Sequence, residues 1–208
     1  ALVHLEGYAF YSEGFAEAVA AQARREGARV SLDAGSAELV LGQAGGAMAA
    51  LLRAGAVDIV FANEEEARAL VRRLEPESGG AGAAAGGGGE GAAGRGATAA
   101  ALEALGQHVE TAVVTTGARG CVVRGRGGAR AEVGAATVGA AQVVDTVGAG
   151  DAFASGFLFA HLQGAPLETA ARCGCLCGAQ VVQVAGANIG EAEWAALKSH
   201  IALLLENI

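Results

Sequence analysis

The chain has 208 residues, of which 52% are hydrophobic and 17% charged, and its 22 acidic against 14 basic residues give a formal net charge of −8. That length suffices for one domain with a substantial core, and the composition is that of a globular rather than a disordered protein. The acidic balance argues against a nucleic-acid partner, which needs a basic surface to displace counterions; no charge-free apolar run of membrane-spanning length is present, so a soluble, cytoplasmic protein with no membrane partner is expected.

Strand and helix patterns alternate through the first part of the chain, as in a doubly wound α/β sheet. Residues 1–5 read as a strand with no initiator methionine before it, so a C-terminal piece of a longer protein is expected. Glu6 follows that strand. An amphipathic helix over 14–26 leads to a strand over 29–33 that ends in Asp33, then a helix over 38–54 and a strand over 57–61 running into Asn63. The carboxyl ends of such strands are where open α/β sheets bind ligands, which makes Asp33 a polar candidate on the substrate side. On a helix starting near Asn63, the i,i+3 spacing puts Asn63 and Glu66 on one side and turns Glu64 and Glu65 away. Acids there also suit the positive end of the helix dipole on their own account.

Residues 76–97 are rich in glycine and alanine, with four consecutive glycines at 86–89. This segment is expected to be a disordered surface insertion within the domain, because it offers little to bury. A helix over 98–107 then precedes a buried strand over 111–115. The turn over 115–120, with Thr115, Gly117 and Gly120, either admits a nucleotide or is a plain hairpin turn. A hairpin follows, with strands over 121–124 and 129–133. Beyond it come a short strand over 141–145, a glycine turn, a helix over 152–162, and closing helices over 166–184 and 191–206.

The glycine turn carries the most chemistry. It reads Asp145-Thr146-Val147-Gly148-Ala149-Gly150-Asp151 and opens a helix. Unpaired amides at a helix N-terminus suit a phosphate or a developing oxyanion, so Gly148, Ala149 and Gly150 form a candidate anion hole. A carboxylate beside a phosphate is repulsive unless it has another task, and for Asp151 the obvious one is general base towards an alcohol. A P-loop is excluded, since Asp151 and Ala152 stand where its lysine and hydroxyl belong. A dinucleotide fingerprint needs glycine or alanine where Phe153 stands. The plain alternative is that Asp151 only caps the helix.

With these residues the chain resembles the PfkB, or ribokinase-type, family of sugar and nucleoside kinases. The segment from Asp145 to Asp151 matches that family's signature, Asn63-Glu64-Glu65-Glu66 matches its Asn-x-x-Glu motif, and Thr115-Thr116-Gly117-Ala118-Arg119-Gly120 matches its nucleotide-contacting turn. The resemblance implies a three-layer α/β/α ribokinase-like fold lacking its N-terminal part and lid, with residues 1–208 a partial kinase domain. It implies ATP as phosphoryl donor and Asp151 as base, with Gly148, Ala149 and Gly150 as the anion hole. Asn63 and Glu66 would organise Mg²⁺ through water, and Thr115, Gly117 and Gly120 would line the nucleotide site. In some members a monovalent cation such as K⁺ is bound; the matching positions are Asp145, the carbonyl of Val147 and the loop over 184–190, where Gly190 offers no side-chain oxygen. The implied reaction is phosphorylation of a primary hydroxyl of a sugar, with Glu6 standing about where members place a residue near the acceptor. The alternatives are a nucleoside acceptor or a non-catalytic nucleotide-binding regulator with the same fold. A homodimer formed through the lid is a further implication.

Four cysteines remain, with Cys173, Cys175 and Cys177 spaced as C-x-C-x-C on one predicted helix and Cys121 on a strand. On a helix, Cys173 and Cys177 share a face and Cys175 points away, which disfavours a single thiolate metal site. Buried small hydrophobes are the expected role, ahead of redox sensing. The four histidines, His4, His108, His161 and His200, show no ligand spacing.

Overall fold

The computed structural model describes residues 1–75 and 92–206. The chain divides into two compact units, one of Ala1–Val114 with Arg124–Ala129 and the other of Thr115–Val123 with Arg130–Ile208.

The first unit follows an alternating order: β1 (Leu2–Glu6), α1 (Phe15–Arg25), β2 (Arg29–Asp33), α2 (Ala37–Leu41), α3 (Ala44–Arg53), β3 (Ile59–Asn63), α4 (Glu64–Leu74), α5 (Ala92–Leu105) and β4 (Thr111–Thr115) but for its last residue. These strands neighbour one another in chain order, and β1, β2 and β3 are parallel. Val30, Leu32, Ile59, Val60 and Phe61 are buried, giving the near-continuous apolar runs of strands covered on both faces. The register sets Glu6 opposite Asp33, and Asp33 opposite Phe61. The carboxyl ends of these strands therefore bring the acids of the first unit to one edge.

Boundaries differ from expectation in this unit. The helix expected over 38–54 is two helices, α2 and α3, interrupted at Gly42, whose backbone is extended. Arg73 from α4 holds the break: its guanidinium donates to the carbonyls of Val40 at 3.1 Å, Gly42 at 3.0 Å and Leu41, replacing the bonds a continuous helix would have made. The third strand starts at Ile59 rather than 57, and Asn63 is its last residue. Asp58 is taken up by other bonds, its carboxylate accepting the Val30 N–H at 2.7 Å and Arg24 Nη1 at 2.9 Å. Helix α5 begins at Ala92, so the end of the expected 76–97 insertion is helical, while 76–91 lies outside the described residues.

The second unit holds β5 (Cys121–Arg124) but for its last residue, β6 (Arg130–Val133), α6 (Ala149–Leu162), α7 (Leu167–Val181) and α8 (Glu191–Leu205). Phe153, Phe157, Cys173 and Cys177 are buried. Helices α6 and α7 pack closely because Gly156 has no side chain: a Cβ there would lie 2.6 Å from Cys177 Sγ and 2.7 Å from the Cys173 carbonyl oxygen. The strand expected over 141–145 does not form. A 3-10 turn at Ala140–Gln142 replaces its start, and the amides of Val144 and Asp145 both donate to the Val182 carbonyl, at 2.8 and 3.3 Å, so no ladder partner is available to them. No helix among the described residues is long and apolar enough to cross a membrane.

Candidate active site

In the first unit, Asn63 ends β3 and caps α4. Its side-chain Oδ1 accepts the N–H groups of Glu65 at 2.9 Å and Glu66 at 3.0 Å. Glu66 answers, with Oε2 accepting the Asn63 N–H at 2.8 Å and Oε1 accepting Asn63 Nδ2 at 2.6 Å. This is a capping box built on asparagine, and it satisfies amides that the helix start would leave open. The predicted pairing of Asn63 and Glu66 on one side of the helix is thus present. Glu66 is buried, and desolvation pushes its carboxyl from 4.5 up to about 7 against the opposing Asn63 hydrogen bond, with the charges of Asp33 and Glu65 adding to the rise.

Asp33 closes its own turn, Oδ1 accepting the Gly35 N–H at 2.8 Å. Glu6 stands next to it in register and pairs through Oε1 with His4 Nε2 at 3.2 Å. His4 Nδ1 in turn lies 2.8 Å from Ser31 Oγ. So Glu6, Asp33, Asn63 and Glu66 share the carboxyl edge of β1 to β3.

In the second unit, Thr115 begins a turn that closes on itself. Thr116 N–H donates to the Gly120 carbonyl at 2.8 Å and Gly120 N–H to the Gly117 carbonyl at 3.0 Å. Gly120 has φ +98, and a Cβ there would fall 1.9 Å from the Val133 carbonyl oxygen. Its glycine requirement is met inside the fold, whereas the space beside Gly117 is open.

The signature segment is tied at its start by Asp145. Its Oδ1 accepts the Val147 N–H at 3.0 Å and its Oδ2 the Gly186 N–H at 3.1 Å, and these amides hold the carboxyl below the usual carboxylate range. Gly148 is the N-cap of α6 with φ +76, and a Cβ there would meet the Ala187 methyl at 2.8 Å. Ala187 is itself left-handed at φ +59, a conformation rare outside glycine. Of the three expected cradle residues, Ala149 spends its N–H on the Thr146 carbonyl at 3.3 Å. The N–H groups of Gly150 and Asp151 have no acceptor among the described residues. The space beside Gly150 is open, and Asp151 is exposed as the third residue of the helix. Asp151 makes no side-chain cap, since α6 has none. His4, which shows no ligand spacing in the sequence, is drawn into this edge by Glu6, two residues on along the same strand face, and for Ala187 in the 184–190 loop a left-handed alanine leaves no sequence signal.

Comparison with known proteins bears on both units. The model of the family described as pfkB family carbohydrate kinase matches residues 1–194. Among curated relatives, an acarbose 7(IV)-phosphotransferase from Actinoplanes sp. is 47% identical over 85 residues, 41% of this chain and 28% of that protein. A 2-dehydro-3-deoxygluconokinase from Dickeya dadantii is 39% identical over 84 residues, 40% of this chain and 27% of that protein. Among solved structures, a probable sugar kinase from Rhizobium etli superposes with a TM-score of 0.74 at 30% identity, covering 98% of this chain and 54% of that one. An adenosine kinase from Sinorhizobium meliloti gives 0.73 at 30% identity, covering 96% and 54%. The chain thus spans about half the length of these solved structures, and its match covers little more than a quarter of the curated relatives.

Proposed function

The chain belongs to the pfkB family of carbohydrate kinases, and from that premise we propose that the whole protein transfers the γ-phosphoryl group of ATP to a primary hydroxyl of a sugar. The observation that carries the reading is Asp151: an exposed carboxylate in the first turn of α6, next to two amides with no acceptor of their own. Asp151 takes the proton of the acceptor hydroxyl, and the Gly150 and Asp151 amides donate to the charge that grows on the transferred group. Thr115 and Gly117 line the nucleotide, with Gly120 shaping their turn.

Asn63 and Glu66 offer hard oxygen donors, and the like charges of Glu66, Asp33 and Glu65 are what a cation would offset, so this set fits Mg²⁺ held through water. When bound, Mg²⁺ supplies neutralisation of the phosphate charge. For a monovalent cation the matching groups are Asp145, whose two oxygens each accept one amide, and the Val147 carbonyl.

A nucleoside acceptor is the second reading. Tyr8 and Tyr11, just past β1, stack at 6.0 Å and are 58% and 74% exposed, offering an aromatic surface of the kind a base would use. The test is a kinase assay of the full-length protein against acarbose, 2-dehydro-3-deoxygluconate, simple sugars and adenosine. Asp151→Asn should lower turnover by about 10² to 10⁴-fold with nucleotide affinity retained. Near-normal turnover in that variant overturns the assignment. ATP binding by calorimetry without transfer to any acceptor would make the protein a nucleotide-binding regulator.

A further inference from the structure

The C-x-C-x-C run on α7 splits between two neighbours. The Cys177 side chain and the Cys173 backbone carbonyl lie against α6 at Gly156, whereas Cys175 reaches the first residue of β5, its Sγ lying 4.0 Å from Cys121 Sγ. All four thiols are free and buried. We propose that Cys121 and Cys175 form a reversible, peroxide-driven disulfide that ties β5 to α7.

Geometry selects this pair. A disulfide needs sulfurs about 2.05 Å apart, so each sulfur must move about 1 Å. Cys173 and Cys177 sit one helical turn apart, where Cβ atoms stay about 5–6 Å from each other, beyond the roughly 3.5–4.5 Å that a disulfide spans. Chemistry selects it as well. The Cys121 thiol beside Cys175 lowers the Cys175 pKa, with Arg172 adding and burial opposing, while Cys121 is pushed up by Cys175 and by burial. Burial pushes Cys173 up, and Cys177 to about 11. Cys175 is therefore the thiol of the set whose ionisation is favoured.

The reaction balances with hydrogen peroxide as oxidant. Cys175 gives up its thiol proton and its sulfur attacks one peroxide oxygen; the O–O bond breaks, and the leaving hydroxide takes up that proton, so sulfenic acid and water result. Cys121 then attacks the sulfenyl sulfur and the sulfenic oxygen leaves as a second water. Two thiols and one peroxide give one disulfide and two waters. The bond closes a loop across 54 residues, which restricts the unfolded chain and raises the unfolding temperature. Cys121 also follows Gly120 directly, so the bond anchors the end of the Thr115–Gly120 turn.

The experiment uses the full-length protein, reduced and native, treated with graded hydrogen peroxide, then alkylated in denaturant and mapped without reductant. The expected result is loss of two of this chain's four alkylatable thiols, a peptide pair joining Cys121 to Cys175, a higher Tm, and reversal of all three by dithiothreitol. Cys121→Ala and Cys175→Ala should each abolish the cross-link and the Tm rise. If either variant fails to fold, the wild-type peptide map decides alone. A cross-link through Cys173 or Cys177, a bond seen only in denaturant, overoxidation of Cys175 without a cross-link, or four intact thiols under peroxide that consumes free cysteine overturns the proposal.

Discussion

Asn63 and Glu66 hold each other in both directions, the Asn63 side chain accepting the Glu66 N–H at 3.0 Å and the Glu66 carboxylate accepting the Asn63 N–H at 2.8 Å. The same four atoms start a helix and present an acid at the carboxyl edge of a parallel sheet. Stability and the candidate metal function are therefore coupled at this point of the fold.

Asn63→Ala removes the cap and frees the Glu66 carboxylate. A loss of about 1–2 kcal/mol is expected, at the upper end for a helix cap, because a buried acid also loses a partner. Urea unfolding of the full-length protein measures it. Mg²⁺-dependent nucleotide binding should weaken in the same variant.

Glu66 makes stability depend on pH in an unusual direction. Its carboxyl titrates near 4.5 when unfolded and about 7 when folded. As pH rises past 4.5 the unfolded chain loses this proton first, so the contribution is complete below 4.5, falls away up to about 7, and is flat above. The size is on the order of 3 kcal/mol. Glu66→Gln should flatten that slope; an unchanged slope in metal-free buffer would show that other groups cause it.

Gly148 and Ala187 should behave as a coupled pair. Gly148→Ala forces a side chain into a left-handed position and against the Ala187 methyl, and a cost of about 2–3 kcal/mol is expected. Ala187→Gly alone should stabilise by about 1 kcal/mol, since it relieves a positive φ. Combined, the two changes should cost less than the sum of the single effects, and a double-mutant cycle reads the difference.

Asp145→Ala should release two amides at once. Hydrogen exchange at Val147 and Gly186 should quicken together while exchange in the middle of α6 stays slow. Exchange that quickens at Val147 alone would mean the loop around Gly186 is held by something else.

Local chemistry was legible because the sequence spacing and the geometry are the same quantity there. Asn63 and Glu66 are three residues apart on a helix, so their meeting follows from helical pitch. The glycine turn and Asp151 are likewise one helix start. Legibility failed where distant groups took over a local preference. The apolar run 141–145 reads as a strand, yet the Val182 carbonyl claims its amides; the helix over 38–54 reads as continuous, yet Arg73 caps it midway.

The alternating α/β order, the family motifs and the acid that stands beside the glycine turn could all be read from the sequence, since each is written in residues within one turn or one strand of each other. Packing in three dimensions is what sets Asp33 among the causes of the raised Glu66 pKa, bonds Asp145 to Gly186, and brings Cys121 to Cys175 rather than to either cysteine flanking it. Those pairs are far apart along the chain, and no local periodicity encodes a contact that packing alone creates.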